Sequence, residues 1–71
     1  MKVMDVTEEM AVGRAKARMR KEDKSGKVIT DVKIVKARKA KTYWVMTARV
    51  YYRDDTHVDK QVRIATTERV K

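Results

Sequence analysis

Thr42-Tyr43-Trp44-Val45-Met46-Thr47-Ala48-Arg49-Val50-Tyr51-Tyr52-Arg53 is the stretch that decides the fold. Its even positions, Trp44, Met46, Ala48, Val50 and Tyr52, are apolar or amphipathic throughout. Its odd positions, Tyr43, Val45, Thr47, Arg49 and Tyr51, mix aromatic, polar and charged side chains. Successive side chains of a strand point to opposite faces, so this pattern predicts a strand with one face on a core.

Two further strands follow from its neighbours. Asp54-Asp55-Thr56 reads as a turn, and Val58 to about Thr67 as a strand with Val58, Val62 and Ile64 on its apolar face. On the other side, Val28 to Val35 forms a strand whose Val28, Val32 and Ile34 share a face. Val35 and Ala37 fall on the opposite face, which predicts a bulge near Ile34. A one-residue slip sends every core side chain to solvent, so apolar faces must match. Placing Tyr52 opposite Val58 sets Ala48 against Val62 and Met46 against Ile64, with Lys60 near Val50 snorkelling at the rim. The loop joining the first two strands is Lys36-Ala37-Arg38-Lys39-Ala40-Lys41, with four cations in six residues.

Upstream, Asp5-Val6-Thr7-Glu8 looks like a helix start, with Asp5 or Thr7 as N-cap. Glu8 to about Lys21 is rich in Ala, Met, Arg and Lys, which favour helix. Helical spacing puts Val6, Met10, Gly13 and Ala17 on one stripe and Ala11, Val12, Ala15 and Met19 on a broader one opposite. Arg14, Arg18 and Lys21 form a ridge between them, and Lys16 and Arg20 lie along the other. In one reading a single stripe packs on the sheet and the remaining small residues are simply exposed. In the other, Ala11, Val12, Ala15 and Met19 meet a second subunit in a homodimer. Gly13 suits a close approach to a sheet or another helix. Lys24-Ser25-Gly26-Lys27 is a turn. The expectation is an α+β fold, an N-terminal helix packed on a three-stranded antiparallel meander (α-β-β-β), in a single domain over 1–71.

A chain of 71 residues has room for one thin core and no more. It has no cysteine and one histidine, which excludes a disulfide framework and a thiolate zinc site. Packing, alone or with an oligomer interface, must therefore hold the fold. No secretory signal or membrane span is visible, and a cytoplasmic protein is expected. Charged residues make up 41% of the chain, a disorder-like proportion, but strand periodicity from Val28 onward argues for an ordered domain.

The net charge of +9 resides between residues 14 and 41, where twelve Lys and Arg face three carboxylates. A field concentrated in this way attracts a polyanion, although it also serves as a solvated surface. Phosphate binding needs cations at intervals, because each neutralised phosphate releases counterions. The ridge Arg14, Arg18 and Lys21 supplies one row and the loop residues Lys36, Arg38, Lys39 and Lys41 another. The sheet face away from the helix adds Arg49 and Arg63, flanked by Tyr43 and Tyr51, which either stack bases or pack across strands. Trp44 falls on the core face and reads as structural.

No Ser/His or Cys/His pair with an orienting third group is present, nor a glycine-rich phosphate loop. Glu8-Glu9 and Asp54-Asp55 are adjacent and point apart. His57 with Asp54, Asp55 and Asp59 lacks calcium-loop spacing and reads as a solvated turn without a metal. The expectation is a non-catalytic, cofactor-free module that binds DNA or RNA. The alternative is a small basic inhibitor or adaptor, of phage or plasmid type, docking on an acidic protein surface. A basic subunit of a ribonucleoprotein or virion is a third reading. A helix followed by three antiparallel strands is similar to the start of a double-stranded RNA-binding domain, which continues into a basic helix that these residues lack. Trp44 with Tyr51-Tyr52-Arg53-Asp54 looks like part of the three-stranded arm-DNA-binding module of phage integrases, where the helix follows the sheet. Neither resemblance carries a diagnostic motif, so no residue role comes from it.

Overall fold

Thr7 opens the helix: its extended backbone leaves its Oγ1 free to accept the Met10 N–H at 3.2 Å. In the computed structural model, which describes residues 2–70, the helix α1 runs Glu8–Glu22 after a short strand β1, Lys2–Asp5. Acidic Glu8 and Glu9 in the first turn and basic Arg20 and Lys21 in the last complement the helix dipole. Strands β2 (Ile29–Lys39), β3 (Tyr43–Tyr52) and β4 (His57–Ala65) then form an antiparallel sheet in the order β2-β3-β4. The last strand, β5 (Thr67–Val70), pairs antiparallel with β1 in a separate two-stranded ribbon. The α+β class and the three-stranded sheet agree with the sequence; the ribbon is an addition to the α-β-β-β order.

The core is the layer between α1 and the even face of β3. Ala11, Ala15 and Met19 lie one helical turn apart and are buried against Val32, Met46, Ala48, Val50, Tyr52, Val62 and Ile64. Ala11, Ala15 and Ala48 have no exposed surface at all, so small side chains bring the helix close to the sheet. This corrects the expectation of a homodimer through Ala11, Val12, Ala15 and Met19: three of the four are core, and Val12 packs at its margin. The exposed positions of the helix include Gly13 and Ala17. A Cβ on Gly13 meets nothing within 4 Å, so the close approach is made by the alanines and not at the glycine.

Trp44 has the structural place expected of it. Its indole N–H donates to the Val6 carbonyl at 3.0 Å, while the Val6 N–H donates to the Thr66 carbonyl at 2.8 Å. Those bonds tie the entry of the helix to the central strand and to the link between β4 and β5. The opposite end is fixed by Asp23, whose carboxylate accepts the Tyr52 hydroxyl at 2.9 Å and the Ser25 hydroxyl at 2.8 Å.

Three details differ from the expected arrangement. The strand β2 continues through Lys39, so Lys36, Arg38 and Lys39 belong to a paired strand, and the connection to β3 is only Ala40 to Thr42. Val28 precedes the strand and is 59% exposed, instead of sharing the core face. The β3–β4 register is displaced by two residues: Val50 faces Val58, Met46 faces Val62, Trp44 faces Ile64, and Lys60 lies opposite Ala48. The cause is the turn, which is centred one residue earlier than expected. The Asp55 N–H donates to the Tyr52 carbonyl and the Tyr52 N–H to that of Thr56, with Asp55 at φ 69°. This matches a type I turn closed by a left-handed residue, a position aspartate tolerates. Moving a turn by one residue moves the register sum by two and leaves the faces unchanged.

Asp54 stabilises that turn. Its carboxylate accepts the Thr56 hydroxyl and backbone N–H and pairs with the Lys27 ammonium at 3.1 Å. These contacts, the Thr56 hydroxyl foremost, lower its pKa from 3.8 to about 2. A depressed carboxylate pKa gives stability that is complete above the unfolded value and lost as pH falls through the folded one. Thermal unfolding followed by circular dichroism is therefore expected to show an acid limb between pH 3.8 and about 2 that Asp54→Asn makes shallower.

Packing yields a second expectation. Gly13→Ala is expected to raise stability by about 1 kcal/mol, the helix-propensity difference, because nothing opposes the added methyl. Ala15→Glu is expected to unfold the domain, whereas Ala17→Glu on the exposed side leaves its urea midpoint nearly unchanged. Urea denaturation of the three variants checks this.

Candidate nucleic-acid interface

One helix covers one face of the sheet, and the other face is open. Directly opposed residues share a face, so the ladder partners define its rows. Along the open face they run Asp31–Tyr51–His57, Lys33–Arg49–Asp59, Lys36–Thr47–Gln61 and Arg38–Val45–Arg63, then Tyr43 beside Ala65. Strands lie about 4.8 Å apart, so the β2 and β4 side chains of one row are separated by about 10 Å.

Formal charge is uneven along these rows. The first two hold Asp31, Lys33, Arg49 and Asp59, which cancel, while the next two hold Lys36, Arg38 and Arg63 with no acid. Arg49 is bound twice to Asp59, Nε to Oδ1 at 2.8 Å and Nη2 to Oδ2 at 3.1 Å. That pair pushes the Arg49 pKa further above its ordinary value and lowers the Asp59 pKa below its own. Arg49 is on the open face as expected but is already neutralised there. Lys36, Arg38 and Arg63 are exposed and stand in none of the ion pairs among the described residues. A shallow depression lined by Lys36, Ala37, Arg38, Val45, Thr47 and Gln61 marks this end of the sheet.

The two tyrosines differ. Tyr51 is half-buried, with the Lys33 ammonium 5.6 Å from its ring centroid and the His57 ring 5.8 Å away. Tyr43 is 46% exposed and stands at the cationic end. Eight residues of strand, about 27 Å, separate them, so they do not form one platform.

The helix ridge is partly committed to the molecule's own structure. Arg14 pairs with Glu68 of β5 at 2.6 Å, and Arg18 donates to the Arg63 carbonyl at 2.6 Å. Lys21 is exposed. Lys39 turns to the helix side, its ammonium 5.6 Å from the Trp44 ring centroid, and Lys41 is exposed in the turn. The structure thus brings Lys36, Arg38, Arg63 and Tyr43 together and leaves the ridge on the other side of the sheet. Lys33, one residue of strand alternation from Asp31, is an open-face cation outside the expected set. Period-two spacing contains that signal. Among the described residues, no helix is long and apolar enough to cross a membrane. Comparison of the chain with protein-family models, with curated proteins and with solved structures finds no match.

The orientation of Lys36 and Arg38 depends on the bulge in β2. The ladder slips between Ile34 and Lys36, which leaves Val35 as the extra residue near where the sequence placed a bulge. Deletion of Val35 is expected to restore regular alternation and keep Lys36 and Arg38 outward, with the circular dichroism spectrum unchanged. Deletion of Ala37 instead turns Arg38 to the helix side opposite Met46, an exposed position, so the folded spectrum is expected to be retained with Lys39 taking the place of Arg38 beside Val45.

Proposed function

We propose that this chain is a non-catalytic nucleic-acid-binding module that presents the open face of its three-stranded sheet to phosphates. The observation that supports this reading is the group Lys36, Arg38 and Arg63, three exposed cations in adjacent rows with no carboxylate beside them. Surface cations elsewhere that have an ion-pair partner, Arg14, Lys27 and Arg49, attract a polyanion less. Each phosphate held by one of the unpaired groups releases condensed counterions, a gain that needs no base recognition.

A second reading has one observation in its favour. Glu8, Val12 and Lys16 of α1, with Lys33, Val35 and Lys36 of β2, line a groove of about 500 Å³ along the free edge of the sheet, three cations against one carboxylate. An acidic protein segment fits such a groove by adding backbone bonds to the edge, as expected of an adaptor or inhibitor. The bulge at Val35 interrupts that edge and makes it a poor template, which favours the open face.

Fluorescence anisotropy with labelled mixed-sequence oligonucleotides tests the proposal. Dissociation constants of about 10⁻⁴ to 10⁻⁶ M at physiological salt are expected, with log affinity falling linearly against log salt. Joint replacement of Lys36, Arg38 and Arg63 by Ala is expected to flatten the slope by about one unit for each phosphate no longer held, for every sequence alike. Lys24→Ala, at the far end of the helix, serves as the control. No binding at about 50 mM salt would remove this reading and leave the edge groove as the candidate site.

A further inference from the structure

The arrangement of charge around β3 constrains what kind of nucleic acid the open face takes. Lys36 and Arg38 stand along one side and Arg63 along the other, and between them runs an uncharged lane of Tyr43, Val45 and Thr47. Alternate residues of an antiparallel strand are about 6.8 Å apart, so the lane sets three uncharged side chains along one line, with Tyr43 its one aromatic ring. Tyr43 at its end is the exposed aromatic of this face, since Tyr51 is held by Lys33 and His57. The lane is bounded at the other end. Asp59 neutralises Arg49, and in the next row Asp31 stands beside Tyr51 and repels phosphate.

A duplex uses little of this. Its bases are paired and present only their edges to the grooves, so even a sheet seated in a groove gives the Tyr43 ring no base face to stack on. A single strand has unstacked bases that stack on an aromatic ring while its phosphates meet flanking cations. Deepening the reading of the open face as a nucleic-acid surface, we propose that its ligand is single-stranded nucleic acid. The strand lies along β3, one base stacks on Tyr43, phosphates meet Arg38, Arg63 and Lys36, and the track stops at the Arg49–Asp59 pair.

The test compares a labelled 12-nucleotide single strand with the duplex of the same sequence at matched salt, using anisotropy. The wild type is expected to bind the single strand more tightly. Tyr43→Ala is expected to weaken single-strand binding by about 5- to 150-fold, the range for loss of one stacked base, and to leave duplex binding within about twofold. Tyr43→Trp keeps an aromatic ring and is expected to retain single-strand affinity. Because Tyr43 is partly exposed at the start of its strand, circular dichroism is expected to be native for both variants. Asp59→Asn releases Arg49 and is expected to tighten single-strand binding and steepen the salt slope by about one unit. Equal losses on single strand and duplex with Tyr43→Ala, or a wild type that prefers duplex, overturn the inference while the nucleic-acid reading stands. A wild type that binds neither overturns both.

Discussion

Everything in this domain depends on how closely a fifteen-residue helix lies on one face of a three-stranded sheet. The contact is made by side chains with almost no volume, Ala11 and Ala15 above Ala48, with Met19, Met46 and the β-branched residues filling the space around them. Close approach conserves apolar area in a chain too short to bury much of it. It also means that the helix cannot serve two faces. The open side of the sheet is left to polar and cationic residues, and the proposed activity is located there.

The cations divide into those that stabilise the fold and those that do not. Arg14 and Arg18 extend from one side of the helix to Glu68 and the Arg63 carbonyl, linking α1 to β5 and β4. Lys27 secures the β3–β4 turn through Asp54, and Arg49 crosses to Asp59. Exposed pairs of this kind contribute little individually, because solvent screens them. Their larger effect is local: on the open face the Arg49–Asp59 pair removes charge from one end and leaves the net positive charge in the rows of Lys36, Arg38 and Arg63.

How far the sequence reveals this depends on what each residue is answerable to. The alternation of β3 is legible because every second residue meets the core, and an error there is costly. The bulge in β2 is legible for the same reason, since the apolar residues change parity around Val35. The β3–β4 register is not, because it depends on which of several turn-forming residues adopts a positive φ, and Asp54 and Asp55 are equally suited. The stripes on α1 are symmetric in composition, and only the sheet decides that Ala11, Ala15 and Met19 are the buried set. β1 and β5 leave no pattern because all but Glu68 of their residues are exposed, so neither strand has a face that must be apolar. At the site, Tyr43 and Arg63 are legible as open-face residues, whereas Arg38 reads as a loop residue because nothing in the sequence shows that β2 continues through Lys39. The neutralisation of Arg49 requires Asp59 to be its neighbour, and that follows from the register.

Parity in β2 connects the fold to the proposed site. Before Val35 the odd residues Asp31 and Lys33 are on the open face; after it the even residues Lys36 and Arg38 are. An unbulged strand of the same sequence puts Lys36 opposite Met46 and Arg38 opposite Trp44, on the helix side at the exposed margin where Ala37 and Lys39 now stand. The same strand puts Val35 and Ala37 on the open face instead. One extra residue therefore moves both cations from the helix side to the open face, Lys36 into the row of Thr47 and Gln61 and Arg38 into the row of Val45 and Arg63. The bulge also breaks the free edge of β2 beside the helix, lowering its value as a template for another strand. The feature that makes the edge a poor protein-pairing surface is thus the one that makes the open face a cationic one, and both effects favour a polyanion over a strand as the partner.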